Sequence, residues 1–575
     1  MASARALRLI VFGLVVVATV KLLYSPRRES GQRRHSADME MRDFWAKSDG
    51  HYKLVDKDKV VPSPGVKNSH PQESLPLEPL HEIVKENKQV IQVSVDTSQT
   101  PLYIVHLDLK GAAPKVKYLK QIFPLLSSLG AKGILLEYED MFPYEGELEI
   151  LRSPYAYSVE DIEEIKSQAK LNNLELIPLI QVFGHLEFVL KHEKFFHIRE
   201  VASFPNSLNP LVPGSMELVR NMLRQVLKRH PEARWFHIGA DEVHGLGESQ
   251  DSKNWLHSNK GDIAKLFFSH VTSVARFMAE TRPGIKILLW EDMLRKMSPD
   301  AIRESQLPNY AFPMIWNHLP NMNIDFIGQL ISKYEKAGFK GVWFASAFKG
   351  ASKIDQIWTP LDHHLQNHLS WLKIMALMPK YPSISFQGIA LTGWQRYEHH
   401  TVLCELFPVA IPSLAICLQT LKYGSFNTEA RNQVHQILGC NIVMEKNICE
   451  GNGAFAGSEL YHMVYKIYKN LHDSTAKMLQ HYHLRGSFSR YHRKYNFANP
   501  RNIAFFMEPL KKLLDEWEIF VQSLHKTMED IYYPDTIEEW MDEFVNQDLA
   551  LLQELMKDAQ RIVKLNGQPK VLKIL

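Results

Sequence analysis

Trp235-Phe-His-Ile-Gly-Ala-Asp-Glu242 is an apolar, β-prone run closed by two adjacent carboxylates. A strand with one wet face alternates apolar and polar residues; this one stays apolar, as a parallel strand buried on both faces does. Seven more runs share that character: Leu102 to Leu109, Gly133 to Glu139, Leu174 to Phe183, Ile285 to Asp292, Phe312 to Asn317, Gly341 to Phe348 and Gly388 to Trp394. Each is followed by a longer stretch of helical periodicity. Eight such repeats predict a closed (β/α)8 TIM barrel, of the α/β class, rather than an open doubly wound sheet. No glycine-rich dinucleotide fingerprint or P-loop follows the first run, which also argues against the open sheet.

Val402 to Lys422 should be the closing helix, so the barrel is expected over residues 98–425. Residues 426–575 read as a helical appendage, notably Pro509 to Lys526 and Thr536 to Lys564. Trp517, Phe520, Leu524, Trp540, Phe544, Leu549 and Leu552 fall there near helical spacing, the mark of a packing stripe. At the other end, Leu9 to Tyr24 carries one charge, Lys21, and follows Arg5 and Arg8. The run is short against the roughly 17 to 25 residues of a spanning helix, but Lys21 can snorkel, and no small-x-small cleavage site follows. We therefore expect residues 1–24 to be an uncleaved signal anchor, of a Golgi-type single-pass membrane protein. Residues 25–97, rich in Lys, Glu, His, Ser and Pro, should be a polar stem or linker. Two features point instead to the cytoplasm or nucleus. Arg27, Arg28, Arg33 and Arg34 outweigh Arg5 and Arg8, which would leave the C-terminal bulk in the cytosol, and the chain has no Asn-x-Ser/Thr acceptor.

The 575 residues, 45% of them apolar, exceed one ordinary domain and can fill a large core. Lys and Arg total 67 against 64 for Asp and Glu, a formal net charge of +3, so no basic field for nucleic acid is implied. Cys404, Cys417, Cys440 and Cys449 lack the paired short spacing of zinc ribbons or thioredoxin-like motifs and leave the redox compartment open.

In a barrel of this kind chemistry sits at the C-terminal ends of the strands. The first run ends His106-Leu-Asp-Leu-Lys-Gly111, the second Glu137-Tyr-Glu-Asp140, and the third Gln181-Val-Phe-Gly-His185 with Glu187 beyond. The fourth ends in Asp241 and Glu242. Adjacent carboxylates repel, so one tends to stay protonated near neutral pH, as a general acid must. Alone, such a pair is also what a helix N-terminus carries against its dipole. Trp290, Trp316, Trp343 and Trp394, four of eleven tryptophans, fall at or near strand ends. Aromatic walls around one mouth suit the apolar faces of a sugar ring.

His237-Ile-Gly-Ala-Asp-Glu242 resembles the His-x-Gly-x-Asp-Glu motif of family 20 glycoside hydrolases, the β-N-acetylhexosaminidases. The likeness extends in order through His106-Leu-Asp-Leu-Lys-Gly111, Tyr138-Glu-Asp-Met-Phe-Pro-Tyr-Glu-Gly146, Phe183-Gly-His185, Ala345-Ser-Ala-Phe-Lys-Gly350 and Gly393-Trp-Gln-Arg-Tyr397, over roughly residues 100 to 425. It implies hydrolysis of terminal β-linked N-acetylhexosamine with retention. Glu242 would be the acid/base, and Asp241 would hold the substrate's 2-acetamido group, which attacks the anomeric carbon to give an oxazolinium intermediate. By the same resemblance His185 would tune Glu242. Trp394 would floor the sugar pocket, with Trp290, Trp316 and Trp343 as walls, and Tyr397 and Glu398 would hydrogen-bond the acetamide or hydroxyls. The chain departs from the family in offering Asp108 and Lys110 where lysosomal-type members grip sugar hydroxyls with an Arg; Lys lacks that planar fork. It also has Phe183 where Pro usually precedes Gly-His.

The implied partner is a glycan, with the membrane met through the N-terminal segment and a homodimer allowed. No cofactor and no metal are implied. A metalloenzyme using His237, Asp241, Glu242 and His244 is an alternative that sets His237 awkwardly inside an apolar strand. A second is a catalytically silent glycan-binding barrel, in which the carboxylates only hydrogen-bond the sugar.

Overall fold

The computed structural model describes residues 101–570, so the anchor and stem expected at residues 1–97 lie outside the described residues. Among the described helices none is long and apolar enough to cross a membrane.

Of the twelve strands among the described residues, the first ten are β1 (Leu102–Asp108), β2 (Gly133–Glu137), β3 (Glu175–Leu179), β4 (Arg199–Val201), β5 (Phe204–Leu208), β6 (Trp235–His237), β7 (Lys286–Trp290), β8 (Ala311–Trp316), β9 (Gly341–Lys349) and β10 (Ser385–Gly393). Eight of them close into a parallel barrel in the order β1-β2-β3-β6-β7-β8-β9-β10, while β4 and β5 form a separate antiparallel hairpin above it. Their residues are buried on both faces, which is why the runs do not alternate. One main helix follows each barrel strand: α1 (Val116–Ser128), α2 (Val159–Leu171), α3 (Ser215–Arg229), α4 (Ile263–Thr281), α5 (Pro299–Glu304), α6 (Ile324–Ala337), α7 (Leu361–Met375) and α8 (Phe407–Tyr423). Local chemistry sets their ends. Ser158 and Asp161 form a reciprocal capping box at the start of α2, and Gly338, at φ +98°, ends α6 in the left-handed conformation.

Helix α8 is buried along nearly its whole length, and a helix apolar all round needs cover on both sides. The barrel supplies one side and the C-terminal helices at Thr428–Leu438 and Ser458–Lys466 the other; farther along the chain come α9 (Pro500–Glu529), α10 (Pro534–Met541) and α11 (Gln547–Lys564). The single helix expected from Thr536 to Lys564 is interrupted by a wide turn at Asp542–Asn546. Trp517, Leu524, Trp540 and Leu552 are buried in the packing between these helices. The described residues belong to one compact unit. Cys440, just before β11 (Asn441–Val443), forms a disulfide with Cys449 within β12 (Ile448–Glu450), the other strand of a small hairpin, whereas Cys404 and Cys417 are free and buried.

Candidate active site

The ladder of β6 stops at His237, four residues before the acidic pair begins at Asp241. Beyond it Gly239, Ala240 and Glu242 take positive φ angles of 62°, 70° and 41°. Gly239 is required there, because a Cβ would lie 1.9 Å from the Gln181 side-chain oxygen. That oxygen accepts the Ala240 N–H at 3.0 Å, and the Gln181 amide nitrogen donates to Asp241 Oδ1 at 2.9 Å. The segment after β3 approaches equally closely: a Cβ on Gly184 would lie 2.1 Å from the Asp241 carbonyl oxygen. His185 follows at φ +50°, its Nε2 3.1 Å from Glu242 Oε2 and 3.6 Å from Asp241 Oδ2. From the other side Asp292, just past β7, accepts the Glu242 N–H at 3.0 Å and the Trp316 indole N–H at 3.3 Å.

Both carboxylates are nearly buried, and their proton affinities diverge. Burial pushes Asp241 up to about 7; the nearby His185 opposes this, and the charges of Asp292 and Glu242 add to it. Burial alone would raise Glu242 too, but the hydrogen bond and charge of His185 hold it below the usual carboxylate range. Burial would lower His185, yet Asp241, Glu242 and Glu187 raise it well above an ordinary histidine. Near neutral pH the three groups thus form a buried cation between two carboxylates that compete for one proton.

Trp394, Trp290 and Trp316 gather at the same mouth. Trp394 is partly exposed; its indole donates to His318 Nε2 at 3.1 Å, and its ring lies 5.7 Å from that of Trp290. Burial holds His318 down at about 3, so its Nε2 is a free-base acceptor for that indole. Trp316 stacks on His318 at 5.4 Å. Tyr397 lies close enough to Glu242 and Asp241 that burial, followed by their charges, raises its phenol.

Trp343 does not belong with them. It stands near the start of β9, fully buried, with its ring 5.1 Å from that of Trp235 at the start of β6, so it packs the barrel interior at the end away from the mouth. Glu398 is turned into its own loop, where it accepts the His400 N–H at 3.1 Å. Asp108 and Lys110 are buried beside the floor. Asp108 accepts the Lys110 ammonium at 3.2 Å and the Gln395 N–H at 2.8 Å, and the ammonium sits 5.6 Å over the Trp394 ring. Burial would lower Lys110, but Asp108, Glu137 and Glu139 hold it firmly charged.

Gln181, Asp292 and His318, which position the acidic pair and the floor, escape a sequence reading. Gln181 and Asp292 do stand at the ends of apolar runs, the one signal available. His237 is aimed away from the pair: its Nδ1 accepts the Gly239 N–H at 2.9 Å, and its ring packs 4.4 Å from that of Trp290. Glu139, Asp140 and His399 bring three metal-ligand atoms within 4.8 Å of one another. The Lys191 ammonium already lies among them, donating to His399 Nε2 at 2.7 Å and 3.6 Å from Asp140 Oδ2.

Residues 121–342 match the catalytic domain of glycosyl hydrolase family 20. Human hexosaminidase D is 44% identical over 461 residues, covering 80% of this chain and 94% of the relative. The chain belongs to glycosyl hydrolase family 20, the β-N-acetylhexosaminidases. Bovine hexosaminidase D is 51% identical over 342 residues, 60% of this chain and 98% of that relative. Among solved structures, Flavobacterium johnsoniae chitobiase aligns over 82% of this family 20 chain and 73% of its own, with 14% identity and a TM-score of 0.41. The barrel itself rests on the strand pairing above.

Proposed function

We propose that this family 20 enzyme removes terminal, non-reducing β-linked GlcNAc or GalNAc with retention of configuration, the substrate's own acetamido oxygen serving as nucleophile. The observation that carries this reading is that Asp241 and Glu242 are consecutive and share one imidazole, His185 Nε2, at 3.6 and 3.1 Å. A double displacement by two carboxyl groups needs them to flank the sugar about 5 Å apart, and consecutive residues bridged by one ring cannot do so. If the acetamido oxygen attacks, both carboxylates act from where they stand.

Glu242 then protonates the departing glycosidic oxygen and afterwards takes a proton from the water that opens the oxazolinium. Asp241 accepts the acetamide N–H, orients the carbonyl for attack and stabilises the positive charge that develops on the ring. Accepting that N–H favours the ionised form of Asp241, which sends the shared proton to Glu242, where the acid step needs it. His185 supports Glu242, Trp394 floors the sugar, and Trp290, Trp316 and Tyr397 line the acetamide side. We assign residues 98–425 as the catalytic barrel and 426–575 as its helical extension. Leu9 to Tyr24 as a membrane anchor is a proposal that rests on sequence alone.

The test is release of chromogen from aryl β-GlcNAc and β-GalNAc glycosides, beside Glu242→Gln and Asp241→Asn, with NMR of the first-formed anomer. We expect wild-type turnover, a β-configured product, and losses of at least about a hundredfold in both variants. An α-configured first product would overturn retention. A wild type that binds sugar without turnover would favour the silent glycan-binding barrel.

A further inference from the structure

We propose that Glu539, in the C-terminal helical region, is a positioning residue for the sugar-binding floor, acting through Arg396 on the two loops that carry Trp394 and Lys110. The inference rests on the reading of Trp394 as that floor.

Arg396 lies two residues past Trp394 and is 7% exposed. Its guanidinium ties three chain segments at once. Nε donates to the Lys110 carbonyl at 3.0 Å, in the loop after β1, and Nη1 donates to the Thr401 carbonyl at 2.6 Å, in the loop after β10. Nη1 and Nη2 also donate to the two carboxylate oxygens of Glu539 on α10, each at 2.8 Å. This is the planar, two-pronged match that arginine makes with a carboxylate and lysine cannot.

The two loops are themselves joined beneath the floor, since Asp108 accepts from both Lys110 and Gln395. The polypeptide leading to Glu539 lies across the same two loops from outside. Lys115 N–H donates to the Ile531 carbonyl at 2.6 Å, Pro114 bridges to Tyr532, and the Tyr532 hydroxyl accepts the Phe407 N–H at 3.0 Å. Residues 529–539 are therefore a strap over the sector of the mouth where β1 meets β10, and Glu539 is its charged clasp.

Removing the clasp leaves a buried guanidinium short of its only carboxylate partner among the described residues. Asp140 is a carboxylate at hand as a substitute: a Cβ on Gly111 would lie 3.8 Å from Arg396 Nη2 and 3.9 Å from Asp140 Oδ2. If Arg396 turned to it, Asp140 would be drawn from the Gly111 N–H it now accepts at 3.1 Å, and the loops holding Lys110 and Trp394 would shift with it. Glu539 is about one-third exposed, so its loss should leave the global fold in place.

The experiment is steady-state kinetics of the full chain on aryl β-GlcNAc for wild type, Glu539→Ala, Glu539→Gln and Glu242→Gln. Thermal melting and tryptophan-fluorescence titration with N-acetylglucosamine accompany it. A floor contributes to substrate and transition state alike, so Glu539→Ala should raise KM and weaken the sugar by about tenfold while kcat stays within about threefold and melting is nearly unchanged. Glu539→Gln, which keeps one acceptor oxygen, should recover part of the loss. KM and sugar affinity within twofold of wild type in folded Glu539→Ala overturn the proposal. So does a collapse of melting temperature and kcat together that Gln does not relieve, because a merely structural role gives that pattern. If wild type matches Glu242→Gln in turnover, the catalytic reading fails instead, and the sugar titration still decides the role of Glu539.

Discussion

Replacing Asp292 by alanine tests how the general acid is held. Asp292 accepts the backbone N–H of Glu242 at 3.0 Å while Glu242 sits at φ +41°. That conformation costs a residue with a Cβ about 1–2 kcal/mol, and a hydrogen bond to a charged acceptor contributes about 1.5–3 kcal/mol. The two are of the same size, so without the carboxylate the backbone of Glu242 is free to relax and the acid drifts from the glycosidic oxygen. Losing about 1.4–2.7 kcal/mol of transition-state stabilisation lowers kcat/KM about ten- to hundredfold, measured on aryl β-GlcNAc. Asp292→Asn separates charge from geometry, because the amide keeps an acceptor but removes a negative charge that, after burial, helps push Asp241 up to about 7. The reactive form carries one proton on the two carboxylates. In wild type kcat/KM should therefore fall as pH rises through about 7. With the like charge gone that proton is held less tightly, and in Asp292→Asn the fall should begin at lower pH. An alanine variant within twofold of wild type, or an Asn profile that stays in place or moves upward, refutes the reasoning.

The tryptophans should separate cleanly. Trp394→Ala is expected to raise KM by at least tenfold, whereas Trp343→Phe, at the far end of the barrel, should cost about 1–2 kcal/mol in denaturant unfolding and leave KM unchanged; a KM effect at Trp343 would return it to the sugar pocket. Thiol titration of the denatured, unreduced protein should find two reactive groups, Cys404 and Cys417, and four would remove the Cys440–Cys449 bridge.

The barrel was legible because parallel strands buried on both faces leave uninterrupted apolar runs, and eight of them are hard to arrange otherwise. The acidic pair was legible because it interrupts one such run. What sequence could not give is direction. Trp343 and Trp394 both belong to apolar runs with similar flanks, and only register shows that one stands near the beginning of β9 and the other just past the end of β10. Asp108 and Lys110 illustrate a different limit. Both stand at the mouth as expected, but they neutralise each other beneath the floor, a pairing that spacing alone does not distinguish from two groups reaching for hydroxyls. The disulfide was missed because Cys440 and Cys449 meet across a hairpin rather than at the short spacings that mark metal or redox motifs.

The irregularity after His237 is itself part of the chemistry. In a regular strand successive side chains point to opposite faces, so Asp241 and Glu242 could never attend the same sugar. Left-handed backbone at Gly239, Ala240 and Glu242 breaks that alternation and lets both carboxylates meet His185. Such a backbone persists only if its surroundings over-determine it. Here Gln181 grips it from just past β3, Gly184 admits the Asp241 carbonyl at close range, and Asp292 takes the Glu242 N–H from just past β7. Three neighbouring segments thus hold one short stretch away from the strand it would otherwise continue. A motif of two adjacent acids therefore needs a glycine two residues before it, a glutamine on one side and an aspartate on the other before it can act on a single glycosidic bond.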